Sequence, residues 1–100
     1  MLESLTCEMF ARHLGETFRV FADAEHYLDV ELIEAVEVPS SAPPSVAQRT
    51  PFSIIFRGPR AIVLPQQIYR IEQEQLGALE IFLVPIGPDQ TGMCYQAIFT

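Results

Sequence analysis

Residues 79–99 constrain this chain most, because they read as two arms of a hairpin around Gly87-Pro88-Asp89-Gln90-Thr91-Gly92. Strand side chains alternate between two faces, so Leu79, Ile81 and Leu83 share one face and Glu80, Phe82 and Val84 the other. Met93, Tyr95, Ala97 and Phe99 repeat the pattern against Cys94, Gln96 and Ile98. Pro88 presets φ for a turn, Asp89 can accept hydrogen bonds from its own backbone, and Gly92 tolerates positive φ. From Ile81 to Ile86 both faces are apolar, which predicts a strand covered on both sides, in a central or barrel position.

The rest of the chain supplies partners for that hairpin. Thr6 is a candidate N-cap, with Glu8 in the first turn and Leu5 and Phe10 spaced as a hydrophobic staple. Phe10 and Leu14, four residues apart, would share the docking face of a short helix, and Gly15 would supply its left-handed stop. Residues 16–21 are β-rich, and Asp23, Glu25 and His26 form a polar turn. Residues 27–38 alternate as a long strand whose phase slips at Ile33-Glu34-Ala35, the mark of a bulge or a barrel corner. Residues 39–51, rich in proline and serine, read as an extended, mobile connection. Residues 51–58 and 67–72 are further strands, with Phe52, Ile54 and Phe56, and then Tyr69 and Ile71, facing inward. Between them Ala61-Ile62-Val63-Leu64, flanked by Pro59 and Pro65, suits an extended crossing segment or a short edge strand. About six strands joined by short turns, plus one N-terminal helix, predict an all-β antiparallel barrel or roll.

With 100 residues, the chain fits one domain over residues 1–100. No apolar run approaches the ~20 residues of a membrane-spanning helix, and the N-terminus lacks the pattern of a signal peptide. The expectation is therefore a soluble, cytoplasmic protein with no membrane partner. A net charge of −7 argues against nucleic acid as a partner, since duplex binding needs a cationic footprint. The charge is unevenly spread: residues 39–71 hold four arginines and no acid, whereas the segments on either side are acidic. Cys7 and Cys94 are too few and too far apart for a zinc knuckle or a redox pair; the expectation is two free thiols, with a single disulfide as the alternative.

Pro51-Phe52-Ser53-Ile54-Ile55-Phe56-Arg57-Gly58-Pro59, Leu64-Pro65-Gln66, Tyr69-Arg70-Ile71-Glu72 and Phe82-Leu83-Val84-Pro85-Ile86-Gly87-Pro88-Asp89, with Leu2-Glu3-Ser4-Leu5-Thr6 and Gly15-Glu16-Thr17-Phe18 at the start, form a pattern that covers nearly the whole chain. It resembles a family of uncharacterised bacterial domains of about 100 residues, often encoded beside proteins similar to phage tail-collar or tail-fibre subunits. The resemblance implies a role accessory to a tail-like or extracellular fibre assembly. It carries no active site with it.

The residues themselves offer little chemistry. His13 falls near the helix end, where the dipole favours a cation. His26 with Asp23 and Glu25 lacks any recognised ligand spacing, so neither a metal nor another cofactor is expected. The expectation is a non-enzymatic protein-interaction module. Arg57, Arg60 and Arg70, with the apolar Ile62 and Leu64, are its candidate partner-binding residues, because arginine is a planar donor enriched at interfaces. The plainer reading pairs the arginines with Glu34, Glu72 or Glu80 across neighbouring strands and lays Ile62-Val63-Leu64 over the core. The partner would be another protein, a tail-collar-like subunit, with a homo-oligomer also open and strand addition at an exposed edge as a further mode. The alternative function is a small apolar-ligand-binding barrel lined by Phe52, Phe56, Tyr69, Phe82 and Tyr95. A hydrolase ranks third, and needs His13 or His26 beside a nucleophile.

Overall fold

The computed structural model describes residues 5–38 and 51–99. They form a short helix, α1 (Cys7–Ala11), and six strands: β1 (Thr17–Phe21), β2 (Tyr27–Glu37), β3 (Phe52–Gly58), β4 (Gln67–Gln73), β5 (Gly77–Pro88) and β6 (Met93–Phe99). Every neighbouring pair is antiparallel, and the order β1-β2-β3-β6-β5-β4 closes on itself as a barrel. The choice between barrel and roll is thus settled for the barrel. Closure comes from β1 meeting β4, with Arg19 opposite Glu72 and Phe21 opposite Arg70. Among the described residues every strand has a neighbour on both sides, so strand addition finds no continuous open edge there.

Alternation puts the inward set of every strand into one core. Phe18, Val20, Leu32, Phe52, Ile54, Phe56, Ile71 and Leu83 are fully buried there. Each contributes about 1.5–3 kcal/mol by leaving water. Two bulges bend the long strands around this core. One lies between Leu32 and Glu34, at the phase slip read in the sequence, and the other between Pro85 and Gly87. Gly87 takes φ +111°, a value that a residue with a Cβ rarely adopts.

The helix begins as the sequence indicates, with the Thr6 hydroxyl accepting from the Met9 amide at 3.2 Å. It stops after five residues at Arg12, and residues 12–15 form turns that end at Gly15, φ +84°. Leu14 therefore leaves the helical phase and stands 46% exposed, while Phe10 is fully buried, with Cys7 and Met9 packed against the core beside it. Phe10 packs on Phe52 and Phe99 with ring centroids 5.9 and 5.6 Å away, and those two rings stack at 4.6 Å. This three-ring cluster seals the barrel where β3 begins and β6 ends.

Two expectations change, and a choice left open between 59 and 65 is made. The outer face of β5 is not covered: Phe82 and Ile86 are each nearly half exposed, because a closed barrel has a single interior and none of the described elements forms a second layer over this strand. Gly92 does not need positive φ; instead a Cβ there would meet the Gly58 carbonyl oxygen at 2.3 Å. Of the two readings of residues 60–65, the crossing segment holds, entered through a turn, and the edge strand does not. Cys7 and Cys94 are free thiols. The connection expected over 39–51 lies, apart from Pro51, outside the described residues.

Candidate interaction surface

The crossing segment from Pro59 to Gln66 lies over the end of the barrel away from the three-ring cluster, where β3 ends and β6 begins. Prolines at 59 and 65 remove two backbone donors and bar regular structure, so its remaining polar groups need partners from the barrel. Tyr95, buried on β6, supplies them. Its hydroxyl accepts from the Leu64 amide at 3.0 Å and donates to the Ile62 carbonyl at 3.3 Å. The Tyr69 hydroxyl donates to the Pro65 carbonyl. Burial, with the neighbouring Tyr95, raises the Tyr69 pKa and keeps this donor protonated. Two buried phenols thereby hold a segment that has no sheet of its own.

A second brace joins the segment to the β5–β6 turn. Asp89 Oδ1 accepts from the amides of Thr91 and Gly92, each at 2.8 Å, which is the local turn closure that aspartate at this position supplies. Oδ2 accepts from Arg57 Nε at 2.8 Å and lies 2.6 Å from Nη2, a two-nitrogen pairing that arginine's planar fork allows. The Arg57 guanidinium, followed by the two amides, holds the Asp89 carboxyl well below the usual carboxylate range, and Asp89 raises Arg57 in return. Arg60 Nη1 donates to the Asp89 carbonyl at 3.0 Å. Behind them Cys94 is buried, and burial pushes its thiol pKa up.

The five sequence-selected residues therefore separate. Arg57 is 30% exposed and bound into the turn, with Glu31 a further 3.8 Å neighbour. Leu64 is buried, so it covers the core and is no surface anchor. Arg70 stands on the outer face of β4, paired with Glu72 and stacked 5.0 Å over Phe21. Arg60 and Ile62 remain exposed at the segment, joined by Val63 at 59% exposure. Val63 belongs to the same apolar run as Ile62 and Leu64; two prolines around that run give no phase from which to tell its inward member from its outward ones.

The other chemistries considered also resolve into geometry. Phe52, Phe56, Tyr69 and Tyr95 stand in the packed core, whereas Phe82 points outside. His13 is buried, its Nδ1 2.9 Å from Glu16 Oε1, and Gln73 Nε2 donates to that same oxygen at 2.8 Å. His26 Nδ1 lies 2.9 Å from Asp23, whose carboxyl is lowered by the Glu25 amide and by His26. Each imidazole thus faces a carboxylate. Among the described residues no three His, Cys, Asp or Glu side chains converge on a metal position, and no helix is long and apolar enough to cross a membrane. A groove of about 730 Å³ runs beside β1 and β4, lined by Thr17, Arg19, Asp29, Glu72, Gln73 and Glu74 among others.

Residues 5–99 match the model of a family described as a domain of unknown function, DUF6916. No curated protein and no solved structure matches the chain.

Proposed function

The chain belongs to the DUF6916 family, and from that premise we propose that it is a non-enzymatic protein-interaction module whose partner docks on the crossing segment through Ile62, Val63 and Arg60. The observation that carries this reading is the bracing of a segment whose apolar side chains face outward. Ile62 and Val63 are 45% and 59% exposed, yet the backbone beside them is fixed by Tyr95, Tyr69 and the Arg60–Asp89 contact. Binding to a segment already held in place avoids the ordering cost of about 0.5–1.5 kcal/mol per immobilised side chain that a free loop would incur. An arginine beside two aliphatic anchors suits a protein surface with an apolar pocket and a carboxylate rim. The resemblance to domains encoded beside tail-collar or tail-fibre-like proteins supports a partner of that kind, a subunit of a tail-like or extracellular fibre assembly.

The test is co-expression with a tail-fibre-like protein, should one be encoded by a neighbouring gene, followed by a binding titration. Val63→Glu should weaken the complex at least tenfold while the thermal midpoint stays put. No complex at high micromolar concentration, at low or high salt, would contradict the proposal.

A further inference from the structure

A second surface, on the flank of the barrel, has a different character. Ile68 on β4 pairs with Phe82 on β5, and Val84 pairs with Gln96 on β6; continuing that register by two residues sets Phe82 opposite Ile98. All three side chains point outward, 65%, 49% and 62% exposed. At roughly 150–250 Å² for a full-sized side chain, they present on the order of 300 Å² of contiguous apolar surface, the scale of the largest patch on a typical monomer, which is often functional.

We infer that this flank is the contact between two copies of the chain, related by a two-fold axis through Phe82. The row reads Ile–Phe–Ile across three adjacent strands and is the same from either end. A two-fold lying along β5 therefore brings Ile68 of one copy onto Ile98 of the other and sets the two Phe82 rings together, as an isologous interface requires. Each described strand is paired on both sides, so at this flank the copies meet through outward side chains. Charge is consistent with this pairing. The acidic outward residues of β2 (Asp29, Glu31, Glu34 and Glu37) lie on other strands, and Arg70, opposite Glu80, borders the row with both signs. A charged partner would find nothing in the row to read, whereas a second copy finds its own complement. A standard interface buries about 800 Å² per partner, somewhat over half of it apolar. The row supplies most of that apolar core, which fits a dimer that dissociates in the micromolar range. This contact is separate from the crossing segment and does not depend on the function proposed for it.

Sedimentation velocity of the full chain across roughly 1–500 μM tests it, in the range where weak interfaces of this size dissociate. The wild type should pass from monomer to dimer. Phe82→Glu and, as an independent replacement, Ile98→Gln should remain monomeric at every concentration with unchanged circular dichroism. Val63→Glu should dimerise like the wild type. A wild type that stays monomeric throughout overturns the inference, as does dimerisation that survives both flank substitutions. If Val63→Glu alone abolishes the dimer, the crossing segment is the self-contact and the flank assignment falls. Loss of partner binding with the dimer intact would concern only the crossing segment.

Discussion

The two ends of β3 and β6 are closed by opposite means. Where β3 starts, three phenylalanines from α1, β3 and β6 pack ring on ring. Where β3 ends, the closure is polar: two phenols and an arginine–aspartate pair hold a proline-bounded segment by its backbone. The apolar end hides its side chains in making the seal. The polar end uses groups from the barrel to hold main chain, so Ile62 and Val63 remain outside. A seal built on backbone contacts can stabilise the fold and present side chains to a partner together, whereas one built on side chains cannot.

Substitutions at each end should separate these roles. The largest loss belongs to the ring cluster. Phe10→Ala should cost about 3–5 kcal/mol in urea unfolding, the range for truncating a buried aromatic. Gly92→Ala comes next, at about 2–3 kcal/mol, since its Cβ cannot avoid the Gly58 carbonyl oxygen at 2.3 Å unless the β5–β6 turn shifts. Tyr95→Phe keeps the ring but orphans the buried Leu64 amide, at about 1–2 kcal/mol. It should also weaken partner binding, which Phe10→Ala should not do in the protein that remains folded.

Asp89 gives the polar end a signature in acid. Its folded pKa lies below the unfolded value of about 3.9, so its stabilising contribution is complete above that pH and is lost as pH falls towards the folded value. Thermal midpoints measured between pH 7 and 2 should fall more steeply below about pH 4 for the wild type than for Asp89→Asn. Parallel curves would remove Asp89 from the brace. The smallest effect on stability is expected for Val63→Glu, within about 0.5 kcal/mol of the wild type, because the side chain is largely solvated already.

What the sequence revealed followed the range of the interactions. The Thr6 cap, the Asp89 turn and the bulge at Ile33 are local, involving residues within a few positions, and each was readable. The alternating strands exposed the core, and with it the fold class, because burial on one face imposes period two. Contacts that span the chain were not readable. Arg57 with Asp89, and Tyr95 with Leu64, are about thirty residues apart and leave no trace in spacing. Phe82 misled for a different reason: an apolar residue on an outer face reads as buried when nothing in the sequence reports whether a second layer covers it. The crossing segment combined both difficulties, having no phase of its own and partners on distant strands.

The most direct measurement of the central claim, a crossing segment held in place before any partner arrives, is amide hydrogen exchange at Leu64. The account predicts protection of the same order as the flanking strand amides, lost when Tyr95→Phe removes the accepting hydroxyl, with Ile71 and Leu83 still protected. Exchange of the wild-type Leu64 amide at the rate of an exposed loop would contradict it.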